Sequence, residues 1–175
     1  CLPPYARNSQ RVWLMAKKGK RDPRSTSVAR LTATQGLYEI EITGASLDTI
    51  LLDFLARRWQ NPDPDEPELG ELAEPDKKKF DEIVRGVIEN KSQIDDILSG
   101  ALSEGRSLDK LDVLLRSVLR AAAYEMFYLP KVPVRVIINE YVDLAHAFYA
   151  ENEPSLVNGV LDRLAKVVRS QELEK

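Results

Sequence analysis

Cysteine is almost missing from this chain: Cys1 is the only one in 175 residues. No intrachain disulfide can form, and a thiolate metal site is excluded. Histidine is equally scarce. His146 stands alone beside Ala145 in a helical pattern, which suits a surface or half-buried structural residue. There is no glycine-rich phosphate loop. No apolar run approaches the roughly 20 residues that a bilayer span needs, and the N-terminus lacks the apolar core of a secretory signal. These absences predict a soluble, cytoplasmic protein with no cofactor. Catalysis has little support either. The densest acidic group lies among prolines, where it cannot pre-organise an acid/base pair, and no paired helical Glu/His pattern offers a carboxylate metal site. The expectation is a non-enzyme with no catalytic and no metal-binding residues.

What is present points to a globular body with a charged leader. The sequence is 43% hydrophobic and 30% charged, ordinary for a folded domain of this length with a sizeable core. The formal charge of −3 conceals an asymmetry. Residues 1–24 hold Arg7, Arg11, Lys17, Lys18, Lys20, Arg21 and Arg24 against Asp22 alone, a net of +6, which leaves −9 for the remainder. A basic arm on an acidic body suits binding to a polyanion; a solvated tail is the alternative. Pro3, Pro4, Gly19 and Pro23 deny this segment a helical period, so 1–24 reads as a flexible arm and 25–171 as the folded domain. Met15 resembles a natural translation start, so residues 1–14 read as an upstream extension to which little function is assigned.

Helical periodicity fills the body. A first helix is expected over about Ser27–Thr43, with Leu31, Tyr38 and Ile42 on one stripe and Gly44 ending it. Ser46 caps a second, in which Leu47, Ile50, Leu51, Phe54, Leu55 and Trp59 face the core. Residues 61–75 contain Pro62, Pro64, Pro67 and Pro75 among acids and must be a loop. Phe80, Ile83, Val84, Val87 and Ile88 define a third helix; Ser92 with Asp95 resembles a capping box opening a fourth. A fifth helix begins near 107–112 and carries Leu111 to Met126, where Ala121–Ala123 permit close helix approach. Pro130 and Pro133 separate it from a sixth, whose Ile137, Tyr141, Leu144, Ala145 and Phe148, widened by Ile138 and Val142, predict burial on most sides. Asn152 caps the last helix, with Pro154 in its first turn. The prediction is an all-α, single-domain bundle of about seven helices.

Asn158-Gly159 inside the last helix is the oddest local choice, since glycine costs about 1 kcal/mol there relative to alanine. Close approach of a neighbouring helix, with Asn158 bonded to its backbone, is the favoured explanation; a ligand facing Asn158 is the other. Arg120 and Glu125 are expected to tie helices together.

Four blocks occur in a specific order: Ala29-Arg30-Leu31 through Gln35-Gly36-Leu37-Tyr38, then Leu119-Arg120-Ala121-Ala122-Ala123-Tyr124-Glu125, Val136-Ile137-Ile138-Asn139-Glu140 and Val157-Asn158-Gly159-Val160-Leu161-Asp162. Together they resemble the NusB family of bacterial antitermination factors over roughly residues 28–169. The resemblance implies an all-helical fold in two packed helical subdomains. It also implies binding of boxA-type single-stranded RNA as a heterodimer with the ribosomal protein NusE, inside an RNA polymerase antitermination complex on ribosomal RNA operons. The family's basic contact region falls on Arg30 and on the arm, here Lys17, Lys18, Lys20, Arg21 and Arg24, because Thr26, Ser27 and Val28 stand where relatives crowd arginines. Arg135 matches a basic position at the sixth helix, and Asn152, Ser155 and Leu156 match a second RNA-contacting patch. Asn152 replaces an acidic cap and Leu156 a phenylalanine of some relatives, so base stacking should be weaker. Two other readings remain: an RNA-targeting module related to rRNA cytosine methyltransferases, and a helical interaction protein that binds no RNA. A surplus apolar helix face would serve either NusE or a homodimer.

Overall fold

The computed structural model describes residues 24–59 and 74–173. Among them are eight α-helices and no strand: α1 Arg24–Thr43, α2 Leu47–Leu52, α3 Lys77–Glu89, α4 Lys91–Ala101, α5 Val113–Tyr128, α6 Val134–Phe148, α7 Glu153–Val168 and the short α8 Ser170–Leu173. The all-α expectation of about seven helices holds. The chain divides into two compact units between Val84 and Arg85.

In the first unit α1 begins three residues before the expected start, and its burial is not a stripe. Every residue from Val28 to Thr34 is buried, whereas Ile42, expected in the core, is 55% exposed. Threonines tolerate this because each hydroxyl bonds back one turn: Thr32 Oγ1 to the Val28 carbonyl at 2.9 Å and Thr34 Oγ1 to that of Arg30 at 3.0 Å. Gly44, with φ +69°, follows the helix as expected. Ser46 Oγ accepts from the Thr49 amide at 3.2 Å, which confirms the predicted cap of α2. The second helix then departs from a straight α-helix and widens into a π-helical turn over Asp53–Arg58. Phe54, Trp59 and Phe80 meet there, with ring centroids 4.9 to 6.0 Å apart. Burying each such ring contributes about 1.5–3 kcal/mol.

The second unit is built on α5, buried continuously from Leu114 to Met126. It packs against α4, α6 and α7, and α6 packs against α7. Asp112, at the end of the expected starting range, is its cap, accepting from the Leu114 and Leu115 amides at 3.0 and 3.3 Å. The expected capping box at Ser92 does not form. Helix α4 starts at Lys91, and Asp95 turns instead to Arg120 of α5, receiving its Nε at 2.7 Å and a terminal nitrogen at 3.0 Å. Glu125 is buried and accepts from the Tyr141 hydroxyl at 2.8 Å. Both residues thus tie helices together as expected. Helix α6 buries one side through Ile137, Tyr141 and Ala145, while Arg135, Val136, Asn139, Asp143 and His146 are exposed. It is amphipathic, not buried on most sides. No segment anticipated α8.

Candidate nucleic-acid interface

Of the ten residues expected to contact RNA, Lys17, Lys18, Lys20 and Arg21 lie outside the described residues. Arg24 opens α1 and is half-buried. Arg30 is only 3% exposed, because α1 is covered all round at that level. The Arg30 side chain is thus enclosed by the protein, unlike the exposed basic position expected of it.

Arg135 is exposed in the first turn of α6, and its guanidinium donates to the Leu173 carbonyl at 3.3 Å. Beside it the Val134 amide donates to the Glu172 carboxylate at 3.2 Å. The start of α6 therefore lies at the far end of α7, as the short connection between these packed helices demands. Asn152, Ser155 and Leu156 lie at the opposite end of α7. That helix has 16 residues, so the two places are separated by about 24 Å of helix. The structure brings Asn152, Ser155 and Leu156 together and leaves Arg135 out of their patch.

Asn152 and Ser155 are exposed and Leu156 is half-buried. Asn152 does not cap with its side chain. Its backbone is already helical (φ −87°, ψ −20°), so the carboxamide makes no bond to the helix amides, unlike the extended cap expected of it. Order in this turn comes from Tyr149. Its hydroxyl donates to the Asp112 carboxylate, the same group that caps α5, so one acid anchors both a helix start and the approach to α7. Burial pushes the Tyr149 phenol well above its ordinary pKa, and the bond to Asp112 and that carboxylate's charge push it further. A raised acid pKa stabilises the fold while the phenol is protonated, so this contribution is complete below about pH 10 and disappears as pH rises beyond it. Tyr149→Phe should cost about 1 kcal/mol at neutral pH. In urea denaturation at pH 7 and 11 the gap between parent and variant should close at the higher pH; a constant gap would contradict the linkage.

Several arginines are committed to the structure. Arg58 grips Glu39 through both terminal nitrogens at 2.7 and 2.8 Å and Asp53 through Nε at 2.6 Å, its cation 4.3 Å above the Phe54 ring. Partial burial opposes that charge, but the two carboxylates outweigh it and raise the pKa. Arg116 donates to three backbone carbonyls, and Arg169 bridges Glu172 and the Pro130 carbonyl. Arg163 and Lys166 of α7 are both exposed. Sequence reasoning passed over them, although helical spacing sets them on the face of Ser155 and Leu156.

Gly159 also differs from expectation. Among the described residues no neighbouring helix approaches it: a Cβ there would meet only the Arg163 tip at 3.7 Å, an ordinary contact. Asn158 bonds Asp162 on its own helix at 3.2 Å rather than a neighbouring backbone. Close helix approach occurs instead at Gly86, where a Cβ would fall 2.0 Å from the Tyr124 ring. Among the described residues no group of three His, Cys, Asp or Glu could hold a metal ion, and no helix is long and apolar enough to cross a membrane.

The NusB family model matches residues 27–166. A transcription antitermination protein NusB of Rhodopseudomonas palustris (strain TIE-1) is 37% identical over 161 residues, 92% of this chain and 90% of that protein. One of Caulobacter vibrioides is 39% identical over 143 residues, 82% and 93% of the two chains. The solved NusB of T. maritima aligns with a TM-score of 0.70 at 32% identity, covering 89% of this chain and all of that one. A crystal structure of the antitermination factors NusB and NusE in complex with dsRNA aligns at 0.67 with 22% identity, a likeness of fold alone, over 83% and 99%. With the helical fold, the four sequence blocks and the family model all agreeing along most of its length, the chain belongs to the NusB family.

Proposed function

We propose that this protein is a transcription antitermination factor that binds boxA-type single-stranded RNA as a heterodimer with NusE and joins an RNA polymerase antitermination complex, without enzymatic activity. The observation that carries the reading is the family match across residues 27–166. The relatives are matched over 90% and 93% of their own lengths and bear the antitermination name, which supports this reading over a methyltransferase module. Lys17, Lys18, Lys20, Arg21 and Arg24 supply salt-sensitive attraction to phosphate without sequence preference. Asn152, Ser155 and Leu156 meet an unstacked strand, the form in which RNA sequence is usually read. Arg135 serves the α6 start through the Leu173 carbonyl. An apolar helix face left over serves NusE; self-association is its other use.

The test is a fluorescence titration of boxA RNA, single-stranded and as a duplex, with and without NusE. Tighter binding of the single strand in the presence of NusE is expected. Leu156→Glu should weaken that binding roughly tenfold, the size of one lost base contact. No RNA binding with NusE present would overturn the reading in favour of a protein-only helical partner.

A further inference from the structure

Helix α7 carries a half-buried, internally unexplained glycine in the middle of one continuous outward face. Asn152, Ser155, Leu156, Gly159, Arg163 and Lys166 follow one another at three- and four-residue steps, apart from one single step, and so lie along a single side. The opposite side carries Val157, Val160, Leu161 and Leu164, all buried. Gly159 thus marks a gap in the outer surface, a place where bare helix backbone can be reached from outside. Among the described residues nothing fills it but the tip of Arg163, the cation one turn on, 3.7 Å from where a Cβ would lie. That guanidinium is steered by the Ser103 hydroxyl at 3.4 Å. Asp162, on the same helix, is engaged by Asn158.

We propose that this face is a nucleic-acid track, in which the RNA strand continues beyond Leu156, closes on the helix backbone at Gly159 and places phosphates against Arg163 and Lys166. The inference rests on the RNA-binding reading above and extends its site by more than two helical turns. Charge decides the occupant. Two exposed cations beside a backbone gap complement a phosphodiester strand, whereas an apolar partner would want a large side chain where the glycine is.

The experiment uses the full chain with NusE and fluorescent boxA RNA, comparing the parent with Gly159→Ala and Arg163→Gln over a range of salt. Gly159→Ala should raise the melting temperature by about 2–4 °C, since alanine is the better helix former at an open position, and yet weaken RNA binding several-fold. A residue with a merely structural role would not move stability and affinity in opposite directions. Arg163→Gln should lower the slope of log affinity against log salt by about 1. If the parent binds RNA and Leu156→Glu weakens it, but both track variants match the parent in affinity and slope, the track is refuted and the antitermination reading survives. If Gly159→Ala impairs NusE capture while RNA affinity is unchanged, the face belongs to a protein and the proposal is equally refuted. If the parent binds no RNA, both readings fall together.

Discussion

Replacing Arg120 with alanine should destabilise the protein by about 3 kcal/mol, the lower end of what breaking a buried ion pair costs. The Arg120 side chain is 6% exposed and meets both oxygens of Asp95, whose side chain is 27% exposed. Water can reach Asp95 and partly compensate it, which holds the loss at that lower end. Lys91, 3.8 Å from Asp95 and half-exposed, cannot replace the forked contact. Arg120→Lys should recover only part of the stability, because an ammonium cannot match the planar two-point geometry. Urea denaturation of the two variants measures this directly. A loss below about 1 kcal/mol for the alanine variant would place the pair with ordinary surface bridges.

Gly86→Ala should destabilise by about 1–3 kcal/mol, the usual cost of overpacking. The added carbon would fall 2.0 Å from Tyr124 Cζ and 2.3 Å from its hydroxyl, so the ring must leave its place. It has little room to go, being 8% exposed and stacked on Tyr128 with centroids 5.2 Å apart. The same substitution at Gly159 is expected to stabilise. Two helical glycines in one chain thus give opposite signs, and thermal melts of the pair check the contrast. A neutral Gly86→Ala would mean the α3–α5 contact adapts at no cost.

The sequence legibly encodes helix number and the faces of α2 and α7, because a strong apolar period and serine or proline boundaries agree there. It misleads where a tertiary partner overrides a local signal. Ser92-x-x-Asp95 has the spacing of a cap, but Arg120 holds the carboxylate. Asn158-Gly159 suggested close packing, yet Gly86, an unremarkable letter in its helix, is where packing is tight. Arg30 matches a basic position of the family, and nothing in the neighbouring sequence signals its burial. The candidate patch at Asn152, Ser155 and Leu156 came from family likeness, and only the antiparallel placement of α6 and α7 separates it from Arg135. Arg163 and Lys166 were open to discovery by helical spacing alone.

The last turn of the described chain acts on a distant helix. Glu172 takes the Val134 amide and the Leu173 carbonyl takes Arg135, each 38 residues upstream. Trimming after Val168, or crowding that end with a fused tag, would strip two acceptors from the beginning of α6 and let its first turn fray.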